Sequence, residues 1–180
     1  YTLSLPDALP ILAFRAGPGR YAIGLVRLLR ALALYLILRD RGRLKAAAVK
    51  EFLSGLSPGK LAEDCEAFAE VSAPKLFRPD ALQTWRQWKD QGAMMLIVSA
   101  SPEAIVEPFA RRLRADRLIA TQLQLDDKVR ISGALEGANC RGAEKVRRIA
   151  AHFGTDFALA AAYGDTSGDR EMLERAAVRC

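Results

Sequence analysis

Apolar positions along this chain change period several times, and each change marks an element. Met94-Met95-Leu96-Ile97-Val98 is an unbroken apolar run, the length of a strand covered on both faces. Ser99 ends it. Ser101 as N-cap and Pro102 at the first helical position then predict a helix over 102–115. A second run predicts a strand over 118–125. Asp126-Asp127-Lys128 reads as a hairpin turn into a return strand over 129–135. A helix over 142–153, a strand over Ala158–Tyr163 and a helix over 169–177 complete the order. Upstream, residues 11–76 carry helical periodicity and no strand, with helices expected at Tyr21–Leu38, Lys45–Leu53 and Ser57–Ser72. Ser57 is the expected N-cap of the last, with Pro58 at its first position. Residues 74–79 read as a linker, and Gly92 closes a helix over 80–91 whose Trp85 and Trp88, three apart, suit core packing. Strands alternating with helices beyond residue 77 predict an α/β fold: a parallel, doubly wound sheet with helices on both faces and a crevice at the carboxyl ends of its strands.

Composition narrows the chemistry. The chain has 180 residues, 51% of them hydrophobic, which is enough for a sizeable core. Lys and Arg exceed Asp and Glu by 27 to 21, a net +6. That excess is spread over helices, with no aromatic residues interleaved, so a nucleic-acid partner is not expected. The three cysteines have neither paired nor metal-ligand spacing, and the reading is a reducing, cytoplasmic setting. The single His, His152, falls on a helix surface, so His-based triads and zinc sites are unsupported. Tyr21–Leu38 is nearly all apolar but carries Arg27 and Arg30, which makes it a poor membrane span. A buried cap helix is the first reading there, and peripheral contact with a lipid headgroup layer the alternative.

Three segments carry candidate chemistry. Tyr163-Gly164-Asp165-Thr166-Ser167-Gly168-Asp169 ends a strand with two carboxylates four residues apart, hard oxygen ligands placed where a sheet opens its crevice. Asp169 equally suits a plain N-cap. Ser99 stands at the end of an apolar run, before a helix start that would favour an anion. In Glu136-Gly137-Ala138-Asn139-Cys140-Arg141-Gly142-Ala143-Glu144-Lys145-Val146, a Gly-punctuated loop enters a helix with Lys145 in its first turn. A cation there opposes the helix dipole unless an anion lies beside it.

The order Ser, Lys, paired Asp, carried by V-S-A-S-P-E-A-I-V-E-P, G-A-N-C-R-G-A-E-K-V-R-R and A-Y-G-D-T-S-G-D-R-E-M-L, resembles the haloacid-dehalogenase-like (HAD) phosphohydrolases. The similarity is to the HAD-IB branch, with its phosphoserine phosphatase-like proteins and a bacterial phosphatidylglycerophosphate phosphatase. It implies a Rossmannoid core over 77–180 and a helical cap over 11–76. It also implies a Mg²⁺-dependent phosphatase acting on a small phosphorylated substrate through an aspartyl-phosphate. Ser99 and Lys145 would be catalytic, with Ser99, Ala100 and Lys145 binding the phosphoryl group. Asp165 would ligate the metal directly, with Asp169 as second ligand or supporting partner.

The family's first motif, D-x-D-G-T, is absent, since no two aspartates in these 180 residues stand two apart. Residues 1–10 resemble translated sequencing adaptor and read as a non-native leader. The expectation is a core without its first strand, a carboxyl end cut short, exposed strand edges prone to aggregation, and a chain inactive for want of its nucleophile. Two alternatives stand beside it: a non-catalytic phospho-ligand-binding relative, and a membrane-surface enzyme of the phosphatidylglycerophosphate phosphatase kind.

Overall fold

The computed structural model describes Ile23, Gly24, Val26 and Leu29, all helical, and residues 41–180. The expected leader, and apart from those four positions the helix expected over Tyr21–Leu38, lie outside the described residues. So do the other positions of the expected cap before residue 41.

From residue 41 the order is α1 (Arg41–Leu53), α2 (Pro58–Leu76), α3 (Pro79–Asp90), β1 (Leu96–Pro102), α4 (Glu103–Arg112), β2 (Arg117–Leu125), β3 (Ile131–Glu136), α5 (Ala143–Phe153), β4 (Leu159–Ala162), α6 (Arg170–Leu173) and β5 (Ala176–Arg179). β1 and β2 run parallel with Ile97 opposite Leu118 and Val98 opposite Ile119, and β3 returns antiparallel along β2. β4 and β5 form a separate parallel pair, Leu159 opposite Ala176.

Adjacent residues of β1 show why its run is apolar throughout. Ile97 packs with Trp85, Val106 and Ala110 on the α3–α4 side. Val98 packs with Ile119, Ile149 and Met172 on the α5–α6 side. Successive side chains of a strand point to opposite faces, so a sheet covered twice needs both positions apolar. A third cluster joins α1 and α2 to α4 and β3 through Leu53, Leu61, Phe68, Phe109 and Ile131. Phe109 meets Phe68 and Phe77 edge-on, with ring centroids 6.2 and 6.0 Å away.

Ser57 caps α2, its hydroxyl accepting from Lys60 N–H at 3.2 Å. Gly92 leaves α3 at φ +78°. Asp126 builds the β2–β3 turn, its carboxylate accepting from the N–H groups of Lys128 and Arg130.

Elsewhere tertiary contacts override local signals. α2 runs through Pro74 to Leu76, because burial of Phe68, Ala69 and Ala73 holds the turn that Pro74 weakens. β3 begins at Ile131, since Val129 lies in left-handed conformation at φ +55° within the turn. β1 continues to Pro102, and α4 starts only at Glu103. Ser101 is therefore a buried strand residue and not an N-cap. The helix expected over 169–177 stops at Leu173, where the ladder with β4 draws residues 176–179 into β5.

Between β1 and β4 lies a cleft of about 890 Å³. Consecutive residues border it, 93–98 on one side and 157–165 on the other. A groove on a sheet face would be bordered by alternate residues, so this one runs along two backbone edges. α3 closes one face through Trp85 and Trp88, and α5 the other through Ile149 and Phe153. Among the described residues no strand pairs with either of these edges.

Gly133 locks the hairpin to α1. It adopts φ +89°, and a Cβ there would come within 3.0 Å of Lys50 Cα, backbone that cannot swing aside. Gly133→Ala is expected to destabilise the fold by about 1–3 kcal/mol, read as a lower urea midpoint at unchanged slope.

Candidate functional site

The β1 terminus, the loop into α5 and the loop out of β4 meet at one point. Lys145, third residue of α5, is 1% exposed and directs its ammonium to the backbone of β1. Nζ donates to Val98 O at 2.7 Å and lies 2.5 Å from Asp169 Oδ1. The other oxygen of Asp169 accepts from Thr166 Oγ1 at 2.6 Å and Thr166 N–H at 3.2 Å. Asp169 is fully buried. Burial pushes its carboxyl up, but the Lys145 ammonium and the Thr166 donors outweigh that, and the group sits below the usual carboxylate range. The anion that a Lys in a helix's first turn requires is thus supplied by the protein itself. Asp169 occupies the N-cap position of α6 yet makes no side-chain cap bond, so the N-cap reading fails.

Ser99 follows the carbonyl that holds Lys145. It is fully buried, and its hydroxyl accepts from Ser101 N–H at 3.1 Å. The β1–β2 register shifts between Ser99 and Pro102, so Ala100 and Ser101 leave the regular ladder. Thr121, also fully buried, secures this bend by donating to Ala100 O at 2.8 Å and accepting from Cys140 N–H at 3.1 Å. Asp165 is exposed at the mouth of the cleft, four residues before Asp169. Gly164 makes the intervening turn possible: a Cβ there would lie 2.5 Å from that of Asp169.

The loop that delivers Lys145 is stapled by Arg148. Its guanidinium donates to Ala120 O at 2.6 Å, Ala138 O at 2.7 Å and Glu144 Oε1 at 2.8 Å. The Arg147 guanidinium, and behind it that of Arg148, holds the Glu144 carboxyl down at about 2, against an opposing push from burial.

Ser99, Ala100, Lys145, Asp165 and Asp169, all expected from the sequence, therefore fall on three adjoining segments. Thr121, Thr166 and Arg148 were not expected. Thr166 lies inside the G-D-T-S-G-D stretch, and Thr121 interrupts an apolar run, which is a visible signal of a buried hydroxyl with a task. Asp126 and Asp127 serve the hairpin turn, and His152 is exposed on α5.

The donor set suits a small hard cation. Mg²⁺ takes oxygen ligands and is commonly held by one or two carboxylates, keeping waters and substrate oxygens for the rest. The described residues hold no group of three His, Cys, Asp or Glu able to cage a metal. Asp165 is the exposed carboxylate of the two, and both oxygens of Asp169 accept hydrogen bonds.

A profile of the haloacid dehalogenase-like hydrolases matches residues 1–174, and the chain belongs to that family. It is 53% identical over 173 residues to Protein CicA of Caulobacter vibrioides, covering 96% of this chain and 78% of that protein. Among solved structures it resembles a Bordetella pertussis protein of unknown function (TM-score 0.75, 24% identity, 91% of this chain and 76% of that one). It also resembles a substrate-bound phosphoserine phosphatase complex (TM-score 0.61, 18% identity, 99% and 80%). The fold is that of phosphoserine phosphatase-like HAD hydrolases. Among the described residues, no helix is long and apolar enough to cross a membrane.

Glu144→Gln tests the staple. Its depressed carboxyl adds stability above its usual value near 4.5, and that contribution is lost as pH falls toward about 2. The variant is expected to be less stable than the parent by about 1–3 kcal/mol at pH 7. Acid titrations of the two, followed by circular dichroism, are expected to converge between pH 4.5 and about 2.

Proposed function

We propose that this site is built for Mg²⁺-dependent hydrolysis of a small phosphomonoester, proceeding in the intact enzyme through an aspartyl-phosphate. The single observation that carries the reading is the buried Lys145 ammonium. It is fixed to Val98 O beside Ser99 and paired with Asp169, four residues from an exposed Asp165.

The chemistry needs these parts. A phosphate dianion repels an attacking carboxylate, each unit-charge pair by roughly 4 kcal/mol at about 4 Å and an effective dielectric near 20. Lys145 supplies fixed positive charge at the β1 terminus, where Asp169 prevents it from swinging. The Ser99 hydroxyl and the Ala100 N–H, in the stretch that leaves the ladder, bind a phosphoryl oxygen. Asp165 offers its carboxylate to the cation, which when bound neutralises phosphoryl oxygens. Asp169, with both oxygens engaged, orients Lys145 and the 164–169 loop. Charge placed in advance is the main source of rate in phosphoryl transfer.

The 180 residues contain no D-x-D pair, so the covalent step has no carboxylate of the expected kind. We therefore propose that the chain by itself turns over no phosphomonoester, a loss of about 10⁴–10⁶-fold by comparison with other nucleophile removals. The same reading takes a small phosphorylated partner, and the unpaired spacing of the three cysteines supports a cytoplasmic setting. The binding-only alternative shares this geometry but requires that family members of this kind retain ligand without turnover.

Inorganic phosphate titrated calorimetrically in the presence of Mg²⁺ separates these statements. Binding is expected, with Asp165→Asn removing its Mg²⁺ dependence and Lys145→Met weakening it at least tenfold. Absence of any phosphate binding would remove the proposal. Mg²⁺-dependent release of p-nitrophenol from its phosphate ester, abolished by Asp165→Asn, would uphold the site and overturn the inactivity.

A further inference from the structure

The 137–142 and 164–169 loops are joined by more than the Lys145–Asp169 pair. Gly142 N–H donates to Gly168 O at 2.8 Å, and the Arg141 guanidinium donates through Nη2 to Ser167 Oγ, also at 2.8 Å. The Arg141 stem lies flat on Gly168. A Cβ at residue 168 would stand 2.6 Å from Arg141 Cγ and 2.7 Å from Nε. Gly168 is buried, and its φ is outside the left-handed region, so its backbone would accept an L residue. What excludes a side chain there is Arg141.

We propose that Arg141 is a positioning residue: a latch laid across Gly168 that holds the Asp165 loop in register with Lys145 and so sets the affinity of the site for a divalent cation. The inference rests on the reading of Asp165 as a cation ligand. Three features set Arg141 apart from an ordinary surface arginine. It is half-buried although on a loop. Its partner, Ser167, lies two residues beyond Asp165 and two before Asp169. The space it occupies is available only because residue 168 has no side chain. The latch reaches the metal through the loop it braces, as partners behind a ligand commonly do, and such partners change metal affinity by about 10–100-fold. Arg141 itself does not touch the cation.

Mn²⁺ alone, an oxygen-seeking stand-in for Mg²⁺, is titrated into the chain and the free ion read by electron paramagnetic resonance. Melting temperature without metal is recorded for every variant. Arg141→Ala is expected to weaken Mn²⁺ binding about tenfold while shifting the metal-free melt by no more than about 2 °C. Arg141→Lys, which keeps the stem and one donor for Ser167, is expected to recover most of that loss. Gly168→Ala approaches from the opposite loop. It is expected to weaken binding in the parent, where its Cβ displaces Arg141, and to have no further effect in Arg141→Ala, where there is nothing left to displace. Such non-additivity is the signature of one shared contact.

Unchanged Mn²⁺ affinity in Arg141→Ala overturns the latch while leaving Asp165 as a ligand. Equal losses from Gly168→Ala in both backgrounds also overturn it, since the effect then belongs to the loop alone. No Mn²⁺ binding by the parent chain removes the cation site and the latch together.

Discussion

The ion pair of Lys145 and Asp169 is the constraint around which this part of the molecule is arranged. Two opposite charges are almost wholly removed from water, and each carries a desolvation penalty of several kcal/mol. Coulomb attraction offsets that only where every remaining donor and acceptor finds a partner. Here Val98 O takes a second ammonium proton, and Thr166 supplies two donors to the carboxylate. The pair thus binds together the end of β1, the first turn of α5 and the loop before α6, three segments far apart in sequence. Loosening any of them would leave a buried charge unmatched.

This requirement divides the work between the two acidic groups of the G-D-T-S-G-D stretch. Asp169 is committed inward, with both oxygens occupied. Asp165 faces the cleft. One loop therefore presents a structural carboxylate and an accessible one, separated by a turn that Gly164 permits. The Thr121 network fixes the bend at Ala100, where β1 leaves its regular ladder with β2.

Much of this was readable before any coordinates. The long apolar run of β1 announced a strand, because burial on both faces leaves no room for polar alternation. The Ser57 cap and the Asp126 turn were equally plain, since each is decided by neighbours in sequence. The first-turn position of Lys145 signalled a nearby anion correctly in kind, and only the fold revealed that the anion was Asp169. Two of the misreadings share one cause. Ser101-Pro102 looks like a helix start, and residues 174–177 look like a helix continuing, but strand pairing with β2 and β4 outweighed those local preferences. Arg148 and Arg141 gave no signal. An arginine's reach is long, and its partners, carbonyls of Ala120 and Ala138 in one case and Ser167 in the other, are set by packing and not by spacing.

The chain has two tryptophans, and both border the cleft between β1 and β4. Trp85 anchors its indole N–H on Leu113 O, while Trp88 reaches across to the Tyr163 hydroxyl beside the Gly164–Asp165 turn. All indole emission from this protein consequently originates at the walls of one slot. The molecule has a built-in optical gauge: polarity or occupancy changes there alter its ultraviolet fluorescence, and the tether from Trp88 to Tyr163 extends that sensitivity to the loop bearing the accessible carboxylate.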